Sequence, residues 1–313
     1  MKRRDMLRSG IAQAWRGVIL EPTIHRSAAV AVEVAQPGRV RISQDGRPVL
    51  WSRIDPDHGG HHWLISAHWR SPLPPVPASM ARRMSATFAS AEWFGRWAYW
   101  VATNLSPACS PIGHGSWSIR PGLPRARVDA RPGDVDVVLV ARWEESEESL
   151  TAGYDDWWES DAAVIPLHPL PSADEGRVKA MRKLAVDGTL PPILLWWVGG
   201  LAAYCVMDGH ARLIAARAVP KSASFLILSR VERPEDQPER ERFYLEKIER
   251  LYERGRGDSR HAQVLAELLG AAQLRREEVR RTVATPLSGG RQAWDDEVRA
   301  AGGDVAAIMT IEV

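Results

Sequence analysis

The first chemistry in the sequence lies in five consecutive residues, Asp208, Gly209, His210, Ala211 and Arg212, inside the stretch AYCVMDGHARLIAARAV (203–219). The apolar run before them reads as a strand and the alanine-rich pattern after them as a helix. The first turn of a helix leaves backbone N–H groups without helical partners, and the macrodipole adds partial positive charge there. A phosphate at that end meets donors already in place. Gly209 lets the backbone come close to a ligand, and Arg212 can grip phosphate with a planar fork. Asp208 is placed either to cap the helix or to hold a magnesium ion near a phosphate. His210 can donate to a phosphate or to a substrate oxygen. A plain capped helix, with Arg212 and His210 in solvent, uses the same residues, so the spacing alone does not decide.

A second polar group is DPDHGGHHW, with Asp55, Asp57, His58, His61 and His62. Imidazoles and carboxylates suit zinc or iron. The group sits in a glycine-bearing loop, which argues against a metal centre. The two cysteines, Cys109 and Cys205, are too few for a disulfide framework and fit a reducing cytoplasm. A net charge of +2 demands no polyanionic partner. The 14 tryptophans outnumber phenylalanine and tyrosine together and read as core. No stretch approaches eighteen uninterrupted apolar residues, so no membrane span is expected, and a cytoplasmic location is.

Several elements must position these groups. The basic start, to about residue 20, reads as an amphipathic helix with Leu7, Ile11, Trp15 and Val18 on one face. AAVAVEVA and RVRISQDGRPVLWSRI alternate as strands around a turn at Gln44-Asp45-Gly46, and HHWLISAHW continues them. Residues 78–105 have helical spacing through Met84, Phe88, Ala91, Phe94 and Tyr99. A Pro- and Gly-rich loop is expected over 106–124, and a strand in DVDVVLVARW. The acidic run EESEESLTAGYDDWWESD reads as a turn-like boundary.

Beyond it, AVIPL is a strand, and Ser172 with Glu175 forms an S-x-x-E capping box. The helix that follows buries Val178, Met181, Leu184 and Ala185, and Gly188 stands at its C-terminal cap. PILLWWV is a strand covered on both faces; Gly199-Gly200 turns the chain into AAYCVM, and SFLILSRV is the last strand. The tail from Glu232 reads as charged helices, and AAIMTIEV as a closing strand.

The segment Val164–Val231 resembles the ParB/sulfiredoxin-like superfamily. The family's G-x-x-x-P-I lead into a strand is matched by DGTLPPILL, and its G-x-x-R box at a helix start by DGHARLIAA. The resemblance covers about residues 162–232 and implies that Gly209, His210 and Arg212 contact the phosphates of a nucleoside di- or triphosphate. Where sulfiredoxins carry their catalytic cysteine this chain has His210, and Cys205 lies earlier, in the strand; sulfiredoxin chemistry is therefore not expected. Partitioning proteins typically read G-E-R-R, and here His210 and Ala211 replace the middle pair.

The expectation is an α/β protein of α+β, mixed-sheet type: a mainly β N-terminal domain (1–158) with one or two helices, a ParB/sulfiredoxin-like nucleotide-binding domain (159–235), and a helical C-terminal region (236–313) ending in a short strand. The resemblance implies an ATP- or CTP-binding protein using Mg2+ as a phosphotransferase or NTPase, with a small-molecule acceptor. Glu175, at the N-terminus of the first helix, and His210 are the catalytic candidates, Glu175 as the base near an acceptor hydroxyl. Asp208, Gly209, His210 and Arg212 would bind the nucleotide, with Asp208 also the metal candidate. A homodimer is a further expectation, and one alternative function is a nucleotide-switched DNA-binding protein. VLAELLGAAQLRREEVRRTV invites a helix-turn-helix reading, but Arg276 stands where an apolar residue should pack, and Glu277 and Glu278 would repel phosphates. A second alternative is a non-catalytic ParB-like interaction module.

Overall fold

The computed structural model describes residues 1–7, 15–23, 27–35, 38–55, 60–84, 89–122, 143–145, 151–156, 164–201, 203–219, 223–232 and 279–301. The chain divides into two compact units, residues 1–229 with 282–313, and residues 230–281. In the second unit, Arg230–Glu232 pair antiparallel with β14 (Val279–Arg281). The helices expected over 233–278, with most of the helix-turn-helix candidate (264–283), and the closing strand over 306–313 lie outside the described residues, as does most of DVDVVLVARW; the end of that candidate, Val279–Arg281, is a strand and not the helix its sequence suggests, because it pairs with Arg230–Glu232.

The first unit is of α+β type, with two mixed sheets. One sheet runs β1 (Lys2–Leu7), β2 (Trp15–Glu21), β7 (Ser116–Pro121), β13 (Phe225–Glu232), β11 (Ile193–Val198), β12 (Ala203–Asp208), β10 (Val164–Pro166). The other runs β15 (Ala284–Pro286), β3 (Val30–Ala35), β4 (Arg39–Gln44), β5 (Arg47–Asp55), β6 (Gly60–Ile65), β9 (Thr151–Asp156), β8 (Trp143–Glu145). Strands from both sides of residue 158 thus share one sheet, and β8 and β9 are strands where the acidic run reads as a turn-like boundary.

Alternation explains the layers. On β11, β12 and β13, the side chains of Leu194, Trp196, Cys205, Met207, Leu226 and Leu228 join a core shared with Val40, Ile42, Trp63 and Ile65 of the other sheet. Ile193, Leu195, Tyr204, Val206, Phe225 and Ile227 point the opposite way and pack with Leu213. Successive side chains leave a strand on opposite faces, so PILLWWV is apolar throughout because both faces are covered. The β4–β5 turn falls at Asp45-Gly46, both at positive φ (51° and 76°), the two-residue turn that matches strand twist.

Three local expectations change. The N-terminal segment is not a helix: β1 and β2 pair antiparallel, Lys2 opposite Glu21. Val18, Ile19 and Leu20 are successive buried residues in a strand with neighbours on both sides, and such a run mimics helical spacing when joined to Leu7 and Trp15. The helical stretch 78–105 contains two helices, α1 (Ala78–Arg83) and α2 (Ala91–Asn104), with Ala89 at φ 58° before the second. The Ser90 hydroxyl caps α2 by accepting from the Trp93 N–H (3.1 Å). Its buried stripe is Trp93, Trp97, Ala98, Val101 and Ala102, while Tyr99 is 39% exposed. The expected loop 106–124 contains β7.

Residues 284–300 return to the outer face of the second sheet. β15 pairs parallel with β3, and α5 (Gly290–Ala300) buries Trp294 and Val298 against Ala35, Trp51 and Leu64. Inside this contact Arg39 donates to Asp295 (2.8 Å), both side chains nearly fully buried, and the Trp294 indole donates to the Val40 carbonyl (3.1 Å).

Candidate functional site

β10 and β12 are parallel neighbours, Val164 opposite Tyr204, and each feeds a helix on the same face. β12 passes through Gly209 into α4 (His210–Arg217); β10 leads through residues 167–175 into α3 (Gly176–Val186). Val178 packs with Ala211 and Ala215, and Leu184 and Ala185 with Ala216. Early residues meet early and late meet late, so α3 and α4 run in the same sense. Both N-termini therefore open at the carboxyl ends of β10 and β12, where open α/β sheets take their ligands.

The C-terminus of α3 closes as its sequence requires. Gly188 adopts φ 65°, its N–H donates to the Ala185 carbonyl, and the Thr189 N–H donates to the Leu184 carbonyl, a double-bonded glycine cap. At the other end the capping box is half formed. The Glu175 carboxylate accepts from the Ser172 N–H (2.9 Å), but the Ser172 hydroxyl accepts from the Asp174 N–H (3.3 Å), one residue early. Glu175 is exposed at the N-cap of α3.

Gly209 stands at φ 105°, in the left-handed region, and a Cβ there would come 2.9 Å from Arg212 Nε. The Leu213 N–H donates to the Gly209 carbonyl (2.8 Å), the first turn of α4, and no side chain caps that end. Asp208 is buried and does not cap α4. One of its oxygens accepts from the Ser71 hydroxyl (2.8 Å) and the other from the Arg212 guanidinium. Arg212 is also buried, and its other terminal nitrogen donates to the Pro192 carbonyl. Burial lowers the Arg212 pKa from its ordinary value, and the Asp208 carboxylate opposes that shift. The expected phosphate fork is thus engaged with protein oxygens.

His210 is half-buried, with its Nε2 enclosed and without a hydrogen-bond partner among the described residues. Its ring meets His168 edge-on, centroids 5.9 Å apart. His168 Nδ1 lies 2.9 Å from the Pro169 carbonyl; a carbonyl only accepts, so Nδ1 carries the proton. Burial pushes the His210 pKa down to about 3, helped by His168, Arg212 and Arg177. The imidazole is neutral at pH 7, and positive charge surrounds it.

The structure therefore brings Asp208, Gly209, His210 and Arg212 together and sets Glu175 at the neighbouring helix start. Sequence reading missed four contributors. His168 and Arg177 follow from the parallel pairing of β10 with β12. Trp69, whose indole donates to the Met207 carbonyl (2.9 Å), and Ser71 come from far along the chain. No local pattern marks those two.

Asp208 offers a metal no free carboxylate oxygen, because both face donors, and the described residues contain no group of three His, Cys, Asp or Glu. In the histidine-rich group, β5 and β6 set Asp55 opposite Gly60 and Ile54 opposite His61, while Asp57 and His58 lie outside the described residues. No described helix is long and apolar enough to cross a membrane.

The chain matches no protein-family model, no curated protein and no solved structure.

Proposed function

We propose that the chain binds the phosphates of a nucleoside di- or triphosphate, ATP or CTP, where α3 and α4 begin. The observation that carries this reading is the convergence of two helix N-termini, neither capped by a side chain, at the ends of parallel strands, beside His168, Arg177 and a His210 nitrogen without a partner among the described residues. Helix N-termini favour anions, and Arg177 adds positive charge near His210 while Asp208 is engaged by Arg212. The resemblance of 164–231 to the ParB/sulfiredoxin-like superfamily supplies the ligand class.

In this reading Arg212 braces the turn and does not hold phosphate, while Arg177, exposed on the first turn of α3, is the cation that reaches it. A phosphotransferase or NTPase activity extends the same reading. It would use Glu175, whose Oε1 accepts from the Ser172 amide, to take a proton from an acceptor or water.

Calorimetric titration with ATP, CTP and inorganic tripolyphosphate tests the reading. Arg177→Ala removes a solvent-facing charge and is expected to weaken all three by about tenfold, in the range of a charge-assisted hydrogen bond. Equal affinities in wild type and variant would remove Arg177 from the site, and no binding of any of the three would sink the nucleotide reading.

A further inference from the structure

The turn that opens α4 is held from outside the segment it belongs to. Ser71, 137 positions before Asp208, donates its hydroxyl to Asp208 Oδ1 (2.8 Å). The Leu73 N–H donates to that same hydroxyl oxygen (3.2 Å), fixing the rotamer that points at Asp208. Two neighbours lock the serine in place. The Trp69 indole is bonded to the Met207 carbonyl (2.9 Å), and the Gln44 side-chain amide grips Arg70 from both sides, accepting from its N–H (2.8 Å) and donating to its carbonyl (2.9 Å).

We infer that Ser71 is a positioning residue for the β12–α4 turn: it orients the Asp208 carboxylate, which orients Arg212 beneath Gly209. The geometry requires such a group. Asp208 is buried at the end of a strand, and a carboxylate with one partner can rotate about its last bond. A second donor on the opposite oxygen fixes its plane. Arg212 then meets Asp208 and the Pro192 carbonyl at once, and its guanidinium fills the space that a side chain at position 209 would need. The N-terminal half of the chain thereby sets the backbone conformation of the candidate site. Ser71 is itself exposed, so its replacement disturbs no core. The functional part of this inference rests on the phosphate-binding reading; the structural part does not.

The test compares wild type, Ser71→Ala and Ser71→Thr by amide hydrogen exchange of the full chain without ligand, and by titration with tripolyphosphate. Ser71→Ala is expected to speed exchange at residues 209–213 about tenfold, the size expected for loss of a hydrogen bond to a charged group. Amides of β4 and β5 stay unchanged, and Ser71→Thr, which keeps the hydroxyl, restores the wild-type pattern. Tripolyphosphate affinity falls and recovers in parallel. Unaltered exchange at 209–213 in Ser71→Ala overturns the inference, as does acceleration spread evenly over β4 and β5. Localised acceleration in a chain that binds no tripolyphosphate sinks the phosphate reading and leaves the positioning role standing.

Discussion

His210 makes the chain acid-sensitive in a definite window. In the folded chain burial holds its pKa near 3, against an ordinary 6.5, with His168, Arg212 and Arg177 adding to the effect. Between those values the unfolded chain carries a proton that the folded chain does not. Stability therefore rises with pH across this window and is lost as pH falls below 6.5. Each unit is worth about 1.4 kcal/mol, so at pH 5 the cost is about 2 kcal/mol, and above pH 6.5 it vanishes. His210→Gln removes the titration and keeps an amide near the same position. Denaturant unfolding followed by tryptophan fluorescence suits the measurement, because none of the 14 tryptophans lies in residues 230–281 and the signal reports on the unit that contains His210. From pH 7 to pH 5 the wild type is expected to lose about 2 kcal/mol more than the variant. The imidazole resonances of His210 should also show no titration above about pH 4. A wild-type-to-variant difference that is the same at both pH values, or an imidazole midpoint near 6.5, would refute the reasoning.

Phosphate binding should reverse part of that depression. An anion beside His210 favours its protonated form, so tripolyphosphate affinity is expected to strengthen as pH falls from 7 to 5.5; a flat profile in calorimetry would separate His210 from the bound anion. Gly209→Ala forces a side chain into left-handed backbone and against the Arg212 guanidinium, costing about 1–3 kcal/mol in fluorescence-monitored unfolding and abolishing phosphate binding, while a variant that binds as wild type does would show the turn tolerates a shift. Asp295→Ala removes the carboxylate that pairs with the buried Arg39 charge and should cost about 3–5 kcal/mol. The double replacement Arg39→Met with Asp295→Leu should recover most of it in the same assay, and a double variant no better than the single would contradict the ledger for a buried pair.

The strands were legible where their cause is local. Alternation in β3, β4 and β5 and the Asp45-Gly46 turn need only neighbours in sequence, and so does the Gly188 cap. The misreadings share a physical origin. Apolar residues at Leu7, Trp15 and Val18 satisfy a helical period, but only the pairing of β1 with β2, and of β2 with β7, decides between helix and strand. The same holds for β7 inside an apparent loop: its Ser118 hydroxyl meets Ser229 (3.0 Å) across 111 positions, and nothing near Ser118 announces that partner.

The candidate site divides along the same line. Gly209 before a helix, and the helix itself, could be read from residues 203–219 because a strand-to-helix turn is a local object. The role of Arg212 could not. A guanidinium two residues into a helix looks available for phosphate until its acceptors are known, and these are Asp208, the Pro192 carbonyl and, through Asp208, Ser71. A buried arginine with two protein acceptors gains more from keeping them than from exchanging them for an exposed anion, since breaking the pair strands a buried carboxylate. The motif therefore acts through its backbone. Arg212 and Asp208 shape the turn and Gly209 permits it; under the phosphate-binding reading, the donors that would face a ligand are the N–H groups of the first turn of α4 together with Arg177 of α3.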